Sequence, residues 1–318
     1  MRGFLLLLVI GGLLAAQDSP TIEVPVRLVI APTAVTNLSG RFLNGLRERD
    51  FNLLDNGLPQ TVAIDDVAHR RISLVIVVQN NKAGQSVRDR IRTIGSIVDA
   101  LIMGESGEAA IMTFSDKPRT VLPFTSDGEK IRRALRRLDY LNGKTQVAEG
   151  ALAGIEMLKD RPVNRRRVLL LISEARDGGS GPKLREVVRE AELHNITIYS
   201  LNIRHFSDSE SAGNGMTASI DLKARISDLY SGVKNAISGN PLAVLTEYTG
   251  GHQYSFHQQH ALEEALTNMG EELHGEYLLS YTPDHPTLGY HSIHVEVSKR
   301  DALVRSRPGY WIQNPTEQ

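Results

Sequence analysis

Cysteine is absent from this chain. That one absence excludes disulfides, thiolate nucleophiles, cysteine-held zinc and lipidation of a cysteine behind a leader. Charge of either sign is not in excess: 36 Lys and Arg against 37 Asp and Glu give a formal charge of -1. Nothing global therefore steers the protein toward nucleic acid or an anionic membrane. No segment after the first sixteen residues approaches the roughly 20 apolar residues that a membrane-spanning helix needs. A Gly-x-Ser-x-Gly elbow is missing, and "NGKTQ" at 142–146 lacks the full Gly-x-x-x-x-Gly-Lys-Thr spacing of a phosphate loop. What remains is a 318-residue chain with 41% hydrophobic content, enough for one large domain or two modest ones.

The first sixteen residues, "MRGFLLLLVIGGLLAA", place Arg2 ahead of an apolar stretch from Phe4 to Leu14 and finish on small residues before Gln17. This is the layout of an export leader cleaved near Ala16. An exported chain without disulfides suits a bacterial envelope protein, periplasmic or secreted.

Residues 20–68 read as all-β. Ile22, Val24, Val26 and Leu28 alternate with other residues around Pro25, which suits an edge strand, and Asp55, Asn56 and Gly57 form a hairpin turn. The middle of the chain changes character. Residues 72–78 are nearly all apolar and β-branched, as in a strand covered on both faces. Residues 88–103 carry Ile91, Ile94, Ile97, Val98, Leu101 and Ile102 at helical spacing. "EAAIMTFS", "RRVLLLIS" and "ITIYSLNI" are further strands, alternating with helices in "DGEKIRRALRRL", "VAEGALAGIEML" and "KLREVVREAELH". The alternation predicts an α/β fold: a doubly wound, mostly parallel sheet with helices on both faces. Residues 205–239 are polar and Ser-rich, an insertion or flap, and two helices follow it. The end returns to β in "GEYLLSYTPD" and "YHSIHVEVSK", and "ALVRSRPGYWI" reads as one last strand. The domain limits that follow are a leader over 1–16, a β segment over 20–68, an α/β domain over 70–276, and strands over 277–312 that join the first segment in a small β module.

In open α/β sheets ligands bind beyond the carboxyl ends of the strands. Three turns lie there: 79–84, 142–146 and 173–181. The order of apolar strand, polar "QNNKAG" turn, helix, "GKT" loop opening a helix, and "RRVLLLISEARDGGS" resembles a von Willebrand factor type A domain. The nearer resemblance is to the bacterial exported subgroup, through "LRERDFNLLDNGLPQTV" before the domain, then "VLTEYTGGHQYSF", "GEYLLSYTPD" and "VRSRPGYW" after it. The resemblance implies a protein-binding module rather than an enzyme, with a magnesium ion held by Asp-x-Ser-x-Ser in the first turn, a threonine in the second and an aspartate in the third. Hard oxygen ligands with net negative charge suit that ion. Here Gln79 stands at the aspartate position, Asn81 and Ala83 at the serines, Thr145 at the threonine, and Glu174 at the last aspartate. An amide keeps an oxygen but loses the charge, and alanine offers nothing. The site is degenerate. Asn81, Thr145 and Glu174 are the ligands left for magnesium or manganese, and the expectation is metal-independent recognition of a protein partner by Gln79, Asn80, Asn81, Lys82, Thr145 and Glu174. Three alternatives stay open: a remodelled metal site, a structural scaffold at the envelope, and an exported hydrolase.

Other clusters have ordinary readings. His252, His257 and His260 suggest zinc but suit an exposed turn equally. "GGSG" at 178–181 reads as a plain loop, and "RRALRR" and "RPVNRRR" as solvated faces or loops. His294 and Glu296 share one strand face. Ser73 and Ser173 have no evident histidine and acid to complete a triad.

Overall fold

The computed structural model describes residues 28–65, 71–81, 91–92, 94–98, 106–139, 143–173, 181–203, 240–256 and 259–313. The leader, the 205–239 insertion, Lys82, Ala83, Glu174 and His257 lie outside the described residues.

Six strands make the central sheet: β5 (Ile72–Gln79), β6 (Glu108–Phe114), β7 (Pro118–Thr125), β8 (Arg166–Ser173), β9 (Ile196–Ile203) and β10 (Gln253–Phe256). Their order is β10-β9-β8-β5-β6-β7. Every residue of β5 and β8 is buried, because helices cover both faces. Successive side chains then feed two separate cores. Leu74, Ile76 and Val78 point into one with Ile131, Leu135, Leu262 and Leu266. Val75 and Val77 point into the other with Ala148, Ala151, Ile155, Leu184 and Leu245. The covering helices are α1 (Gly128–Arg136), α2 (Val147–Lys159), α3 (Gly181–Leu193), α4 (Pro241–Thr249) and α5 (Gln259–Gly275). Asp127 caps α1 by accepting the Glu129 and Lys130 amides, and Asn240 caps α4 ahead of Pro241. Within 88–103, Gly95–Ile97 is helical, and Ile91, Ile94 and Val98 are buried.

Two strands escape the sequence reading. β7 is antiparallel to β6 and mostly exposed, an edge strand interrupted by Pro123. β10 is four residues long and extends the sheet beyond β9.

The terminal strands form two four-stranded sheets. One has the order β13-β1-β11-β4 and the other β14-β12-β2-β3. They comprise β1 (Val29–Asn37), β2 (Phe51–Asp55), β3 (Leu58–Gln60) and β4 (Ala63–Asp65) from the start of the chain. From its end come β11 (Tyr277–Tyr281), β12 (Gly289–Val297), β13 (Ala302–Ser306) and β14 (Gly309–Ile312). A third core of Val35, Leu53, Leu279, Tyr281, Ile293 and Tyr310 lies between them. The Asp55–Gly57 turn is as read: Asn56 has φ 48° and Gly57 φ 83°, the left-handed pair a tight hairpin requires. Ile22, Val24, Pro25 and Val26, where the sequence predicts an edge strand, lie outside the described residues, and β1 itself is an interior strand. Its Pro32 is tolerated because β1 pairs with β11 there and meets β13 from Thr33 onward. "ALVRSRPGYWI" is two strands in different sheets, since Arg307 and Pro308 break the run.

The run at Arg165, Arg166 and Arg167 is not a solvated loop. Arg166 is 5% exposed and pairs with Glu276 after α5, while Arg167 donates to the carbonyls of Arg161 and His194. Arg165 and Arg161 converge on Glu108, with Ser73 held between Glu108 and Arg165. Ser73 thus belongs to a clamp at the amino end of the sheet, opposite the candidate site.

Candidate functional site

At the carboxyl end of the sheet, Gln79 closes β5 and Ser173 closes β8, and Ser173 is in register with Asn202 of β9. Three loops bring side chains to Gln79. The Ser173 hydroxyl donates to Gln79 Oε1 at 2.7 Å. Gln79 Nε2 donates to Asn81 Oδ1 at 2.8 Å and to Thr145 Oγ1 at 3.0 Å. Asn81 Nδ2 donates to Thr145 Oγ1 at 2.8 Å and to the Gly143 carbonyl at 3.4 Å.

The direction of every bond in this network follows from one end. A main-chain carbonyl only accepts, so the Asn81 atom facing Gly143 is its nitrogen. Asn81 Oδ1 then needs a donor, which makes the facing Gln79 atom Nε2. Gln79 Oε1 is left to accept from Ser173. The result is a set of hydrogen bonds among uncharged side chains in which the Gln79 and Asn81 amides are engaged, as buried polar groups must be to avoid a desolvation penalty.

Gln79, Asn80 and Asn81 are 0%, 5% and 5% exposed, whereas Thr145 is half-buried and Lys144 exposed. Of the described candidates, then, Thr145 stands at the rim and the three amides beneath it. Asn80 turns away from the network: its amide nitrogen donates to the Asp139 carbonyl at 3.2 Å, and its Oδ1 is buried without a partner. Asp116, just past β6, accepts the Lys144 amide at 2.6 Å and fixes the 143–145 loop. Gly143 sits there at φ 152°, and an added Cβ would fall 2.7 Å from Asp116 Oδ2, so this loop has no room for another residue type. Neither Asp116 nor the bridging role of Ser173 was singled out from the sequence. The available signal was positional, since both follow directly from strands that flank β5.

Among the described residues, which leave out Glu174, the donor set does not fit a hard divalent cation. Magnesium takes oxygen at about 2.0–2.1 Å and prefers carboxylates. Gln79, Asn81, Thr145 and Ser173 carry no charge, and the oxygens of Asn81 and Thr145 are met by N–H groups of Gln79. The carboxylate that reaches this loop, Asp116, is engaged by the Lys144 amide. Among the described residues no group of three or more His, Asp or Glu is arranged to hold a metal. Of the histidines that suggest zinc, His252 packs edge-on against Tyr254 at 4.6 Å and His260 is exposed beside Glu264. His294 and Glu296 form an exposed pair at 3.1 Å.

No curated protein matches this sequence. Solved structures similar to it include a von Willebrand factor type A protein from Catenulispora acidiphila, at 9% identity and TM-score 0.48 over 92% of this chain and 76% of that one. Another is the conserved hypothetical protein BatB from Bacteroides thetaiotaomicron, at 10% identity and TM-score 0.45 over 64% and 98%. Proximal thread matrix protein 1 from the mussel byssus, solved with a zinc-occupied metal-site motif, is 11% identical with TM-score 0.47 over 71% and 51%. Residues 77–225 match the family model of the von Willebrand factor type A domain, a span that holds Gln79, Asn81, Thr145 and Ser173. Residues 77–225 of this chain are thus similar to a von Willebrand factor type A domain, and the turn at the carboxyl end of the sheet lies within that match.

Proposed function

We propose that this protein is an exported interaction module that recognises a protein partner at the bacterial envelope, through the loops at the carboxyl ends of β5 and β8 and without a bound metal. The observation that carries the reading is the uncharged network centred on Gln79, in which an amide N–H group serves the oxygens of Asn81 and Thr145. Export is supported by the leader pattern from Arg2 to Ala16. No described helix is long and apolar enough to cross a membrane. Binding rather than catalysis is supported by the engagement of both candidate serines: Ser73 with Glu108 and Arg165, Ser173 with Gln79.

Thermal unfolding after exhaustive chelation, with and without millimolar magnesium or manganese, tests this reading. A ligand of the native state raises its stability. The expected result is the same melting temperature throughout. An upward shift that disappears in Thr145→Ala would overturn the metal-free reading. Gln79→Asp supplies the positive control. Its carboxylate removes the donor to Asn81 and Thr145 and leaves their oxygens free for an ion, so this variant should melt lower than the parent after chelation and regain stability with manganese.

A further inference from the structure

Positive charge gathers on one side of the central sheet. Residues 116–144 hold eight Lys and Arg against four Asp and Glu, in a chain whose formal charge is -1. The stretch 82–105, part of which packs on α1 where Gly95 meets Arg132, holds four against three. By sequence it brings no excess of acid to balance them.

On α1 the apolar Ile131 and Leu135 are buried, while Arg133, Arg136 and, at the helix end, Arg137 are exposed. Arg119 of β7 joins them. It stands opposite Thr113 in the ladder, and Thr113 follows Ala109 and Ile111, which point into the core that α1 covers. Cross-strand partners share a face, so Arg119 is also on the α1 side of the sheet. The two acids at the start of α1 are engaged: Asp127 meets Lys130 at 3.6 Å, and Glu129 meets Arg132 at 3.1 Å. Asp116 and Asp139 are as exposed as the cations, so solvent screens both signs alike. Lys117, Arg119, Arg133, Arg136, Arg137 and Lys144 outnumber them.

This side adjoins the candidate site. β7 runs antiparallel to β6 and ends at the amino end of the sheet, so α1 returns toward the carboxyl end. Asp139, two residues beyond Arg137, there gives its carbonyl to the Asn80 amide at 3.2 Å. The chemistry of the cations narrows the occupant. A guanidinium fork pairs with carboxylates through two parallel hydrogen bonds. Ile131, Leu135 and Leu138 are buried, so α1 offers no apolar anchor as the second signal that stable membrane attachment requires.

We propose that the α1 side of the rim, with Arg119, Arg133, Arg136 and Arg137, docks an acidic segment of the protein partner, a run of Asp and Glu side chains. This rests on the reading of the carboxyl end of the sheet as the recognition surface, and it names the charge of what is recognised.

The test uses a capped Glu-Gly repeat peptide of about 12 residues, its Gln-Gly counterpart, and phosphatidylglycerol vesicles, each titrated into the full mature chain at about 20 mM salt, where exposed charges are weakly screened. Amide shifts in NMR report the site. The Glu-Gly peptide should give saturable shifts at Arg119, Arg133, Arg136 and Arg137, and the Gln-Gly peptide none. Arg133→Gln, Arg136→Gln and Arg137→Gln together should weaken that binding roughly tenfold, as expected for three exposed pairs. Arg41→Gln, Lys299→Gln and Arg300→Gln together remove the same charge from exposed positions of the terminal strands and turns, and should leave the affinity within about twofold. Melting temperatures check that both variants fold; Arg119→Gln alone, expected to weaken binding about twofold, repeats the comparison without touching α1. No saturable shift, equal weakening by the two triple variants, or tighter binding of vesicles than of peptide at these residues would each overturn the proposal. Failure here leaves the metal-free reading to the chelation experiment, because the response of the melting temperature to metal does not depend on these exposed arginines.

Discussion

Ser173 Oγ stands 2.7 Å from Gln79 Oε1, tying the last residues of two neighbouring parallel strands together at the end of the sheet where ligands bind. Both residues are fully buried. Because the hydroxyl donates to an acceptor that water does not reach, its loss takes a donor from that acceptor which solvent does not replace. Removing a hydrogen-bond partner in this way costs about 1–3 kcal/mol, more than the bond contributes net.

Ser173→Ala should therefore lower the free energy of unfolding by about 1–3 kcal/mol in urea, with the dependence on denaturant unchanged. Gln79→Ala in the same background should cost little more, since the two changes remove one network. Full additivity of the two losses would show that Ser173 and Gln79 act independently and that the directed network is wrong.

How much of this was legible beforehand differs between fold and site. β5 and β8 announced themselves, because a strand buried on both faces has to be apolar along its length. The helices did so through spacing, and Asn56 and Gly57 marked their turn through the left-handed backbone it needs. β7 and β10 were silent. An exposed edge strand carrying prolines, or a strand of four residues, has no strong period for a reader to find. The break at Arg307 and Pro308 was overlooked because residues on either side alternate in the same way. The replaced ligands at Gln79 and Asn81 and the retained Thr145 were visible from motif position. Their mutual satisfaction was not, since it depends on the register that sets Ser173 beside Gln79 and on the Gly143 carbonyl, both products of tertiary structure. The arginines at 165–167 misled for a related reason: composition cannot tell a solvated basic run from one drawn onto Glu108 and Glu276.

A second relationship joins the α/β unit to the terminal sheets. Arg305 of β13 donates to the carbonyls of Gly250 at 3.0 Å and Gly251 at 2.6 Å and pairs with Glu272 of α5 at 2.6 Å. Glu272 is 4% exposed; burial pushes its carboxyl up, but Arg305 and the neighbouring hydrogen bonds outweigh it and hold the group below its usual range. Breaking such a pair from one side leaves a buried charge and costs about 3–5 kcal/mol, whereas removing both sides costs much less. Arg305→Met should thus be severely destabilising, and adding Glu272→Gln should recover a large part of the loss in a double-mutant cycle. If Glu272→Gln recovers nothing, the pair is not what joins the two parts.

Half-buried His252 and buried Glu276, near this joint, should give opposite pH dependences. His252 has its pKa lowered from 6.5 to about 4 by burial and then by Arg305, so the folded protein holds the ring neutral. Between those values the unfolded chain binds the proton more readily, and the contribution of His252 to stability is present above pH 6.5 and lost as pH falls toward 4. Glu276 is raised from 4.5 to about 7 by burial, in spite of Arg166 beside it. There the folded state keeps the proton longer, so its contribution is present below pH 4.5 and lost as pH rises toward 7. In the parent protein the two slopes partly cancel over the shared range. Comparison with His252→Phe, which keeps an aromatic ring against Tyr254, and with Glu276→Gln separates them. The stability of the parent relative to His252→Phe should shrink with acidification, and relative to Glu276→Gln it should shrink with alkalinisation. Melting curves of the three proteins across both windows make the measurement, and a pH-independent difference for either variant would mean that its group titrates alike in the folded and unfolded chains.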